Sequence, residues 1–113
     1  MNLEVTILSN LVFNSEYSRK VLPFIRQDYF NDHSYKIIFL EIHEYITQYD
    51  ALPSLNALGI ECQERTDLTE EQFKEVLEVL NVLSDEEADL DWLVDTTEKW
   101  CQERAIYLSL MES

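Results

Sequence analysis

Glycine is nearly missing from this sequence: Gly59 is the single one among 113 residues, and only Pro23 and Pro53 join it as chain breakers. Sandwiches and barrels need a turn residue every 8–12 positions or so, and that scarcity excludes them in favour of a helical domain. One glycine also excludes a phosphate loop of the form GxxxxGK[ST], which needs two glycines and a lysine to cradle phosphates on backbone N–H groups. Basic residues are scarce too, 8 against 23 acids, for a formal net charge of −15. A surface of that sign repels phosphate backbones, so a tight direct grip on nucleic acid is not expected.

Two cysteines, Cys62 and Cys101, lack any CxxC or Cys/His spacing and read as buried reduced thiols. The longest unbroken aliphatic or aromatic run, Ile37 to Leu40, is far too short to cross a membrane. The amino terminus MNLEVTILSN has no basic segment of the secretory kind, so a cytoplasmic protein is expected. With two histidines, zinc-helix chemistry has little to work with. His43-Glu44-Tyr45-Ile46-Thr47 puts Thr47 where HExxH needs its second imidazole, and His33 stands alone at a helix start. The acids Glu70, Glu71, Glu75 and Glu78 line a solvated face rather than converge in a pocket that would split their pKa values. No catalytic residue, metal ligand or cofactor site is predicted in this chain.

What the sequence does have is helical spacing. Leu3, Ile7, Leu8, Leu11 and Val12 recur at steps of three and four and predict a helix from about Leu3 to Phe13, with Asn2 as cap. Ser15 is expected to cap a second, short helix that buries Val21 and Leu22 and that Pro23 ends or bends. Tyr35, Ile38, Phe39, Ile42, Ile46 and Tyr49 mark a long third helix from Asp32 to Asp50. Leu52 and Pro53 break the chain, and Ser54 caps a fourth helix with Leu55, Leu58 and Cys62 inward. Gly59 is a soft spot in it.

The clearest local code is LTEEQF: Thr69 and Gln72 make a capping box, and Leu68 and Phe73 are placed to close the hydrophobic staple around it. That fifth helix continues through Val76, Leu77 and Leu80 and ends near Leu83 and Ser84. An acidic loop, SDEEADLD, leads to a last helix with Asp91 as its expected cap. Leu93, Thr97, Trp100, Cys101, Arg104 and Leu108 follow one face of it. A second set, Ile106, Tyr107, Leu110 and Met111, points elsewhere, so this helix end is apolar on more than one side and calls for a partner. Trp100 reads as core; Trp92, at the helix start, joins Ile106, Tyr107, Leu110 and Met111 as a candidate interface residue. The charge is lopsided: residues 1–60 carry seven acids and four bases, residues 61–113 sixteen and four. The fold expected is all-α, one compact bundle of about six helices over residues 1–113.

The segments ILSNLVF, YSRKVLPFI with DYF just after it, LPSLNAL and WLVDTTEKWCQERA resemble, in order and spacing, the amino-terminal domain of hexameric replicative DNA helicases of the DnaB type, in particular those of T-even-like bacteriophages. The last segment is the most specific. The resemblance implies a non-catalytic collar domain that helps organise a hexameric ring and contacts primase. The motor domain, with its ATP and Mg²⁺ site, would come later in a longer polypeptide, in the host cytoplasm. Residues 105–113 would then begin a junction toward a helical hairpin and linker. The other reading the charge allows is a stand-alone acidic phage protein that mimics DNA and inhibits a host DNA-binding protein.

Overall fold

The computed structural model describes residues 2–112; Met1 and Ser113, the last residue of the expected 105–113 junction, lie outside the described residues. Six α-helices follow one another with no strand among the described residues: α1 (Leu3–Phe13), α2 (Ser15–Val21), α3 (His33–Tyr49), α4 (Leu55–Gln63), α5 (Glu70–Val82) and α6 (Leu90–Glu112). Two short 3-10 turns, Leu22–Phe24 and Gln27–Tyr29, join α2 to α3. The all-α bundle expected from the sequence is what forms.

Most helix starts are where a side-chain acceptor supplies one. The Asn2 side chain accepts from Glu4 N–H, Asp32 from Ser34 N–H and Ser54 from Ala57 N–H. Both halves of the Thr69/Gln72 capping box are present. Two caps differ from the expected residue. Asn14, not Ser15, caps α2: its side chain accepts from Tyr17 N–H while its own N–H closes α1 onto the Asn10 carbonyl, so one residue ends one helix and starts the next. Asp89, not Asp91, serves α6, since Trp92 N–H donates to Asp89 Oδ2 at 3.0 Å and Asp91 already lies in the first turn. In each case two good capping residues stand close together and the earlier one takes the role; at Asn14 an extended backbone suits it to the cap.

The core runs through all six helices. In α1 every residue from Ile7 to Val12 is buried, because α2 covers one side and α3 another. The third helix reaches furthest, packing on α1, α4, α5 and the turn at Gln27–Tyr29. Tyr49, the last residue of α3, is 56% exposed, and Leu77, expected inward, is 37% exposed on an open groove between α4 and α5. Tyr17, which the apolar count passed over, is fully buried. The segment between α2 and α3 is pinned by aromatics: Phe30 lies 5.0 Å from Trp100 and 5.4 Å from Phe39 between ring centroids. Lys36 Nζ donates to the Phe30 carbonyl, tying the segment to α3.

Among the described residues, no helix is long and apolar enough to cross a membrane, and no group of three or more His, Cys, Asp and Glu side chains is placed to share a metal ion. His33 and His43 are exposed, and Thr47 is exposed on the same helix as His43.

Candidate protein-interaction surface

Four exposed large apolar side chains gather at the end of α6. Its first half is anchored: Leu93, Thr97, Trp100 and Cys101 are buried against α2 and the turn at Gln27–Tyr29. The Tyr17 hydroxyl shares a 2.7 Å hydrogen bond with Thr97 Oγ1 inside that contact. One turn past Trp100, Arg104 Nε donates to the Tyr29 carbonyl at 2.6 Å. Beyond Arg104 only Leu108 stays half-buried. At 1.5 Å per residue, the helix runs about 16 Å past Cys101, its last buried residue.

On that extension Ile106, Tyr107, Leu110 and Met111 are 63%, 49%, 71% and 69% exposed. Ile106 and Leu110 are one turn apart, as are Tyr107 and Met111, so the four form one stripe. At roughly 100° per residue, the stripe is centred about a quarter-turn away from the buried face. The core therefore cannot cover it by letting the helix lie closer. The Arg104 guanidinium carbon sits 4.8 Å from the Tyr107 ring centroid, so a single side chain both fastens the helix to the body and braces the stripe.

Trp92 is 55% exposed on the same side of α6, but fourteen residues before Ile106, or about 21 Å along the axis. Polar Asp95, Lys99 and Glu103 stand between them. The structure thus brings four of the five predicted interface residues together and leaves Trp92 apart.

Charge is spread around this body, and part of it lines an open cleft. The acidic loop meets the α1–α2 joint in an open cleft of about 570 Å³ lined by Asn10, Phe13, Asn14, Ser15 and residues 85–89. A charge network that the sequence reading missed runs from the buried Glu41 of α3 through the half-buried Arg65, just past α4, to the exposed Asp67: Arg65 binds Glu41 at 2.6 Å and Asp67 at 2.7 Å. Hydrogen bonding to Arg65 holds the Asp67 carboxyl below its usual range, and the paired carboxylates hold the guanidinium charged. The signal was there: Glu41 stands four residues after Ile37 and three after Ile38, an acid on the apolar stripe. Burial pushes the Cys62 thiol up to about 12, with Glu41 adding to it, and Cys101 up to about 11, with Glu98 adding to it. Such thiols are poor nucleophiles and poor metal ligands.

No protein-family model matches the chain. It is 36% identical over 101 residues to the DnaB-like replicative helicase of Enterobacteria phage T4. The match takes in 89% of this chain and 21% of that protein. The resemblance drawn from the four sequence segments is thus also a measured similarity to a DnaB-like helicase, over about a fifth of its length.

Proposed function

We propose that this chain is the non-catalytic amino-terminal assembly domain of a phage replicative DNA helicase, working in DNA replication in the host cytoplasm. It helps organise a hexameric ring and presents a surface to primase, while ATP and Mg²⁺ are used by a motor domain elsewhere in a longer polypeptide. The single observation that carries this is the end of α6, an anchored helix whose apolar stripe extends past the body that holds it. A stripe of that kind is what a junction between neighbouring subunits requires. The 36% identity to a replicative helicase, over 21% of its length, supports the same reading and does not favour a free-standing DNA mimic.

The test is to follow the reading frame past Ser113 and measure the mass in solution of the longer polypeptide. A downstream GxxxxGK[ST] motif and a hexamer that Ile106→Glu disrupts are the expected results. A frame that stops at Ser113, or a hexamer indifferent to Ile106→Glu, would overturn the proposal. The 113-residue chain alone is expected to show no ATP turnover and no submicromolar binding to single-stranded DNA at physiological salt.

A further inference from the structure

We propose that the groove between α4 and α5 is a docking site for a basic amphipathic helix of a partner protein, a role separate from that of the α6 stripe. The groove holds about 530 Å³, with an apolar floor of Leu55, Phe73 and Leu80. Ile60 and Leu77 line it while staying 55% and 37% exposed.

Gly59 carries the argument further. It is the only glycine in the chain, and it lines this groove from the interior of a helix. A glycine there destabilises a helix by about 1 kcal/mol relative to alanine. Nothing among the described residues accounts for it: its φ is not positive, and a Cβ built on it meets no atom within 4 Å. An absent side chain on an open groove floor lets the backbone of a second helix come close, because the distance between packed helices is set by the side chains at the contact.

Charge selects the kind of helix. By three-residue spacing Glu70, Lys74 and Glu78 flank the groove-lining face of α5, and Glu64 caps α4 beside Gln63; all are exposed. The α5 helix carries four acids, Glu70, Glu71, Glu75 and Glu78, against one base, Lys74, and α4 adds Glu61. With three acids and one base on its rim, the groove attracts a helix that carries Lys or Arg beside an apolar stripe.

Two designed helical peptides serve as probes. They share one apolar stripe; one carries Lys on its polar face and the other Glu. Fluorescence anisotropy with the 113-residue chain at about 0.1 M salt gives affinity, and amide ¹H–¹⁵N spectra give location. The Lys peptide is expected to bind at least about tenfold tighter than the Glu peptide and to shift the amides of Gly59, Ile60 and Leu77. Gly59→Leu and, independently, Ile60→Ser should each weaken it at least about tenfold, with unchanged circular dichroism confirming the fold. Four outcomes would overturn the proposal. One is no binding; another is binding indifferent to both substitutions. The third is shifts confined to the acidic loop at residues 84–89. The last is a dimer of this chain that Gly59→Leu abolishes, which would make a second copy the occupant.

Discussion

Tyr17 and Thr97 meet oxygen to oxygen at 2.7 Å across eighty residues of chain, and both side chains are buried. This bond joins α2 to α6 and, with the Arg104–Tyr29 hydrogen bond and the packing of Trp100, helps set the direction in which the α6 extension leaves the body. Replacing Tyr17 with Phe leaves Thr97 Oγ1 without that partner in a site closed to water. A loss of about 1–2 kcal/mol is expected from urea unfolding. Thr97→Val added to Tyr17→Phe should cost less than the two single changes together, because the pair is then removed as a unit.

Arg65 offers a sharper test. Its side chain is 20% exposed and that of Glu41 only 7%, so Arg65→Met strands a carboxylate in the interior. A destabilisation of about 2–3 kcal/mol is expected. The Arg65→Met, Glu41→Gln double variant should recover part of it, and a chemical-denaturation cycle measures how much. The Asp67 side of the network has its own pH signature. Its carboxyl is lowered in the fold, so that contribution is present above the ordinary aspartate range and fades as pH drops through the lowered folded value.

The thiols titrate the other way. Burial raises Cys62 to about 12 and Cys101 to about 11, so the unfolded chain releases these protons near pH 9 while the folded chain keeps them. Their contribution to stability is complete below pH 9 and is lost as pH rises toward 11–12. Thermal midpoints measured through this window should fall with increasing pH. At pH 8, Ellman's reagent should leave both cysteines unmodified until denaturant is added, and fast modification of the native chain would contradict their burial.

Stability and assembly should separate along α6. Trp100 packs on Tyr29 and Phe30, and Trp100→Ala is expected to cost about 3–5 kcal/mol. Ile106→Ser and Met111→Ser, on the exposed stripe, should each stay within about 0.5 kcal/mol of the parent by thermal unfolding. A large loss at Ile106 would mean that the stripe serves this chain's own fold.

Much of this molecule was readable before any coordinates. The capping box at Thr69 and Gln72, the caps at Asn2 and Ser54, and the helix limits at Leu3 and Phe13 came directly from residue types one turn apart. The misplaced caps of α2 and α6 fell where Asn14 precedes Ser15 and Asp89 precedes Asp91. Neighbouring candidates have nearly equal capping strength, and the path of the incoming chain chooses between them. For the interface, spacing identified the exposed stripe of Ile106, Tyr107, Leu110 and Met111, while Trp92 was added as a large aromatic at the helix start, although fourteen residues put it about 21 Å from Ile106.

Left to itself, the amino-acid order decided that six helices form, where most of them start and which side of each is apolar, since those properties depend on neighbours three and four positions away. Tertiary structure alone decided that Glu41 finds Arg65 and that Tyr17 is buried. It also decided that the second apolar side of α6 stays uncovered and that Gly59 opens onto a groove. Those outcomes depend on elements brought together from distant parts of the chain, and packing can cover only one side of a helix that extends past the body it rests on.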